Sequence, residues 1–116
     1  MTIKDTPLKP AAGGRNPHKY DELILYSNPS RVSKNALDYF GKNVPIYISN
    51  KPTKKYMVKN TEGKYVHFGE MGYQDYTRHM DKSRQDRYLK RAMNISGKWY
   101  EDLYSPNNLA IHLLWM

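Results

Sequence analysis

Apolar positions change their spacing several times along this chain, and each change marks an element. Tyr56-Met57-Val58-Lys59 and Tyr65-Val66-His67-Phe68 are short runs rich in aromatic and β-branched residues, which suit a pleated, half-buried surface. Asn60-Thr61-Glu62-Gly63 lies between them. Asn starts a turn through its own side chain, and Gly accepts the positive φ that closes it. Two such runs around a short Gly-containing loop predict a β-hairpin. In an extended chain Tyr56 and Val58 share one face, and Lys55, Met57 and Lys59 share the other. Val66 and Phe68 fall together in the same way, opposite Tyr65 and His67. The hairpin is therefore expected to have one apolar face and one studded with lysine. An isolated hairpin is marginal in water, so the apolar face needs a cover.

The spacing becomes helical further on. Gly69-Glu70-Met71-Gly72 breaks the second strand, and Tyr73 to Met80 reads as a short helix or an irregular turn. Asp81 or Ser83 can cap a helix that runs to about Ile95, with Gly97 as its stop. Tyr88, Leu89, Ala92, Met93 and Ile95 gather on one side of that helix, and Arg84, Arg87, Lys90 and Arg91 on the other. Its apolar side is the expected cover for the hairpin.

Upstream, Glu22 to Ser27 reads as a short strand and Asn28-Pro29-Ser30 as a turn. Ser30 or Ser33 can cap a helix through Ala36, Leu37, Tyr39 and Phe40 that stops at Gly41. Val44 to Ser49 reads as another strand, and Pro45 near its start suggests an edge or entry position. Downstream, Ser105-Pro106-Asn107-Asn108 resembles a helix start with Pro at the first position. Leu109 to Trp115 is apolar almost all round, which predicts burial as a helix or as a short strand. Residues 1–20 hold three prolines and two glycines without periodicity and read as an extended basic arm. The expected architecture is α+β. A small, mostly antiparallel sheet with a central hairpin packs on an amphipathic helix, in one domain over 21–116.

Charge narrows the partner class. The 116 residues carry 19 Lys and Arg against 11 Asp and Glu, a net charge of +8 that favours polyanions. Hydrophobic residues make up 39%, which predicts a small core that leans on a partner. There is no cysteine, so disulfides and cysteine-ligated metal sites are excluded. No apolar run is long enough to span a bilayer, and the N-terminus lacks the apolar centre of a signal peptide. The expectation from these is a soluble protein of intracellular origin.

The chemistry-bearing residues point to binding. Arginine's rigid fork of donors matches phosphate and carboxylate, so Arg84, Arg87, Lys90, Arg91 and Arg78 are the candidate phosphate- or partner-contacting residues. Lys55 and Lys59 of the hairpin join them. The ordinary alternative is a solvated charged face. Tyr56, Tyr65, Tyr73, Tyr76 and Tyr88 stand beside basic residues; Tyr56 and Tyr88 read as filling the core edge, whereas Tyr65, Tyr73 and Tyr76 either stack bases or do the same. His67, His79 and His112 have no metal-ligand spacing, and His112 reads as a core histidine. Asp75 and His79 are four apart and can pair on a helical face, but one pair is no catalytic constellation. Gly69-x-x-Gly72 is too short for a phosphate loop and lacks its lysine. No enzyme, metal, cofactor or small-molecule substrate is expected.

Several of these strings together resemble a family of small proteins of large double-stranded DNA viruses that infect algae and protists. They are Lys54-Lys55-Tyr56-Met57-Val58, Val66-His67-Phe68-Gly69, Gly72-Tyr73-Gln74-Asp75-Tyr76-Thr77-Arg78-His79-Met80-Asp81, Arg84-Gln85-Asp86-Arg87-Tyr88-Leu89-Lys90-Arg91 and Leu113-Leu114-Trp115. The resemblance covers residues 52–116. It implies a viral origin and a place in the virion, reached from the interior of the host cell during assembly. The leading expectation is a non-enzymatic structural protein of the particle, a minor capsid or capsid-associated protein. It would attach to other capsid proteins through the basic helix, the N-terminal arm and the apolar C-terminus. The alternative is a small nucleic-acid-binding protein that meets the phosphates of DNA with the same helix.

Overall fold

The computed structural model describes residues 18–116. Helix α1 (Lys19–Leu23) leads to α2 (Pro29–Phe40), then to strands β1 (Tyr47–Ile48), β2 (Lys54–Lys59) and β3 (Tyr65–Glu70). A short α3 (Tyr76–His79) precedes α4 (Lys82–Met93). After a 3-10 turn at Trp99–Glu101 the chain ends in α5, which is α-helical over Pro106–Leu109 and continues as a π-helix over Ala110–Leu114. The sheet is antiparallel throughout, in the order β1-β2-β3. The fold is thus α+β with a small antiparallel sheet.

The hairpin forms where the turn chemistry predicts it. Tyr56 lies opposite Phe68 and Val58 opposite Val66. Asn60 Oδ1 accepts from the Glu62 and Lys64 amides at 2.9 and 3.0 Å, and Gly63 closes the loop at φ 81°. The lysine-studded second face is not found. Residues 55–58 are all buried, so β2, the central strand, is covered on both sides.

The cover of the apolar face is α5, not α4. Tyr56, Val58 and Phe68 share one buried cluster with Leu109, Leu113 and Leu114, and with Leu23, Val32 and Ala36 of α1 and α2. Helix α4 stands outside that cluster. Of its apolar side Ala92 is buried, whereas Met93 and Ile95 are more than half exposed. A helix with so few large apolar residues buries less than one that is apolar almost all round, so α5 takes the central place. The apolar C-terminus is therefore not an attachment surface: Leu109, Ile111, Leu113 and Leu114 are buried in the chain's own core.

Other expectations change at element ends. Glu22 to Ser27 is not a strand: its first residues finish α1, with Asp21 and Glu22 in the first turn, where carboxylates favour a helix. Leu23 points inward while Ile24 and Leu25 are exposed, so the run has no single apolar side to offer a sheet. Helix α2 is capped by Asn28, whose side chain accepts from the Ser30 and Arg31 amides, and it stops at Gly41 in the left-handed region. Val44 to Ser49 yields only two residues of edge strand. Helix α4 is capped by Asp81 and ends at Met93, short of Gly97. Lys19, expected in the arm, starts α1, and its buried ammonium donates to the Ser49 and Lys51 carbonyls at 2.6 Å each. The remainder of the expected arm, residues 1–17, lies outside the described residues.

Candidate functional site

Helix α4 is held on α5 by its polar and aromatic side. Tyr88 stacks on Trp115 with centroids 4.1 Å apart and rings 7° from parallel. Gln85 Nε2 donates to the Trp115 carbonyl at 2.8 Å, and Asn107 Nδ2 donates to the Ala92 carbonyl at 3.0 Å. This mounting leaves a cleft of about 620 Å³ between α4, α5 and the segment running from the end of β3 into α3. Arg84, Arg87 and Arg91 line it from α4; Gly69, Glu70, Tyr73 and Gln74 line it from the β3–α3 segment; Ala110, Leu114 and Trp115 come from α5 and its end.

The arginines reach the cleft because they recur at spacings of three and four, which puts them on one helical face. Asp81 starts that face by accepting from the Ser83 and Arg84 amides at 3.0 and 3.3 Å. Among the described residues no carboxylate forms an ion pair with Arg84, Arg87 or Arg91. Arg87 donates to Ser83 Oγ at 2.7 Å, and Arg91 lies 6.0 Å from the centre of the Tyr88 ring. Burial pushes the Tyr88 phenol up, with Arg91 acting the other way.

Two further features shape the cleft. Gly69 has φ 84°, and a Cβ there would lie 2.9 Å from Leu114 Cδ1 and 3.1 Å from the Lys55 stem, so glycine alone lets β3 pass this close to α5. The π-helical end of α5 supplies Ala110 and Leu114. Such turns recur at functional sites because they shift side chains off the α-helical register.

The other candidate cations go elsewhere. Lys90 and Arg78 are exposed but do not line the cleft, and Lys59 lies beside the Tyr65 ring at the far end of β2. Lys55 is a correction: it is not a surface contact for a partner. It is 2% exposed, and its ammonium donates to Asp75 Oδ2 at 3.1 Å and to the Tyr73 carbonyl at 2.6 Å. Burial pushes its pKa down and Asp75 opposes that. Sequence reasoning missed Glu70, Gln74, Asn107 and Trp115 as lining residues, because nothing in their spacing signals that α5 and β3 meet beside α4.

The histidines do not gather. Asp75 does not pair with the His79 ring, since its carboxylate is held by Lys55 and Thr77. His79 Nδ1 instead accepts from the Asp81 amide at 2.8 Å, and its Nε2 is buried without a partner near Trp115. His67 Nδ1 is 2.6 Å from Ser49 Oγ, but Ser49 is fully buried and among the described residues no carboxylate forms an ion pair with His67. His112 is partly buried and stacks on Tyr39. Among the described residues no group of three or more His, Asp or Glu is placed to hold a metal ion, and no helix is long and apolar enough to cross a membrane.

No curated protein and no solved structure matches the chain. Residues 44–92, which run from before β1 through most of α4 and include all three cleft arginines, match a protein family described as a family of unknown function, DUF5754.

Proposed function

We propose that this protein is a non-enzymatic binding protein that holds a single-stranded nucleic acid in the arginine-lined cleft, with phosphates on Arg84, Arg87 and Arg91. One observation carries the reading. Three guanidinium groups that have no carboxylate partner among the described residues line the same cleft as Tyr73, an exposed ring. Guanidinium forks suit phosphate oxygens, and aromatic rings accept bases by stacking with little regard to sequence. Arg84 and Arg91 are seven residues apart, a rise of roughly 10 Å along the helix. A row of that length follows successive phosphates better than it grips one. The net charge of +8 adds attraction at longer range.

A second reading is attachment to an acidic surface of a capsid protein. It uses the same arginines and draws on Met93 and Ile95, which the core leaves uncovered at the end of α4. Fluorescence anisotropy with a labelled single strand separates the two. For three phosphate contacts log K is expected to fall with log salt at a slope of about −2. Arg87→Ala is expected to weaken binding and to make that slope shallower by roughly 0.7. Absence of binding at about 50 mM salt, or an unchanged slope when all three arginines are replaced by alanine, would turn the conclusion to the capsid partner.

A further inference from the structure

The cleft is chemically uneven. Its arginines come from α4, whereas the β3–α3 segment contributes Glu70, Tyr73 and Gln74. Glu70 is the one acid among the described lining residues, and it pairs with Lys54, its cross-strand neighbour, rather than with an arginine. That pair engages Oε1 and leaves Oε2 as an open acceptor on a side chain that is 58% exposed. Gln74 donates its Nε2 to the Leu25 carbonyl at 3.3 Å, which leaves its Oε1 as a second acceptor. Tyr73 is 73% exposed beside them and offers a ring for stacking.

We infer that Glu70, with Gln74, selects bases that carry an exocyclic amino group, so that cytosine is bound in preference to thymine. This inference rests on the nucleic-acid reading above. A carboxylate among phosphate-binding arginines weakens the hold on phosphate. It adds to affinity only by accepting a hydrogen bond from the ligand. The amino groups of cytosine and adenine donate, whereas thymine presents a carbonyl oxygen at the same place. With cytosine stacked on Tyr73 the carboxylate receives a charge-assisted hydrogen bond. With thymine it faces another acceptor and loses its water for nothing.

The comparison of the two pyrimidines decides the matter, because it holds ring size nearly constant. Short homopolymers of deoxycytidine and deoxythymidine are titrated into the full-length protein at one salt concentration. Cytosine is expected to bind roughly tenfold tighter or more. Glu70→Gln is expected to close most of that gap, chiefly by strengthening thymine, since the new amide donates to its oxygen. Lys54→Met, which removes the pair but keeps the carboxylate, is expected to retain the preference. Equal binding of the two homopolymers by the unaltered protein, or a preference that survives Glu70→Gln, would overturn the role of Glu70 while leaving phosphate binding in place. Salt-insensitive binding, or none, to either homopolymer would overturn the nucleic-acid reading and this inference together.

Discussion

The Lys55 ammonium stands among oxygens: Asp75 Oδ2 at 3.1 Å and the carbonyls of Tyr73 and Tyr26 at 2.6 and 3.4 Å. Asp75 passes the connection on to Thr77, Thr77 to Ser27, and Ser27 to the phenol of Tyr56. This chain of polar groups ties β2 to α3 and to the turn before α2. A charge this deeply buried is costly without its partner. Asp75→Ala is therefore expected to destabilise the fold by about 3–5 kcal/mol, measured by urea unfolding. Adding Lys55→Met to it is expected to recover part of the loss, because a charge no longer has to be buried alone. No local pattern marks Lys55 for this role, since in the sequence it shares a strand face with Met57 and Lys59 like any outward lysine. What removes it from solvent is Asp75, twenty residues further along the chain, together with the covering of both faces of the central strand.

Among the elements, α4 was readable in its capped start and not in its end or its cover. Its cap is local chemistry: an aspartate whose carboxylate meets two free amides of the first turn. Asp81→Ala is expected to cost about 1 kcal/mol and to weaken binding slightly, since Arg84 lies in the turn that would fray; thermal melting and anisotropy check both effects. The docking of α4 is long-range and depends on Gln85 and Trp115, which lie thirty residues apart in the sequence. A buried glutamine on an otherwise charged helix carries no periodic signal. Helix α5 shows the reverse case. Its apolar run and its Ser105 cap, which accepts from the Asn108 amide, already announce a buried element. The change from α to π winding at Ala110 has no counterpart in the pattern. It is accompanied by side-chain contacts to the carbonyls at its end, from Asn35 to Leu113 at 3.0 Å and from Gln85 to Trp115 at 2.8 Å.

For the whole molecule, proton binding follows burial. The pKa values of His67, His79 and His112 are all lowered, first by desolvation; nearby cations also act on His67 and His79. In the folded state these rings hold protons less tightly than in the unfolded chain. Between the lowered folded values and about 6.5 the unfolded state therefore binds more protons, and stability rises with pH. Their contribution is complete above about 6.5 and is lost as pH falls through the folded values. The Tm is expected to drop between neutral and mildly acidic pH; a Tm that rises on acidification would contradict this. Added positive charge on a chain already at +8 works in the same direction. The sequence by itself determined what is local: the hairpin with its Asn60 and Gly63 turn, the stop of α2 at Gly41, the capped start of α4 at Asp81, the row of arginines on one helical face, and the burial of the last helix. Only the tertiary structure decided which helix covers the sheet, that Lys55 is internal, and that Glu70, Tyr73 and Gln74 face the arginines' cleft. Those outcomes depend on competition for apolar cover and on contacts between distant residues, and neither leaves a periodic trace along a single chain.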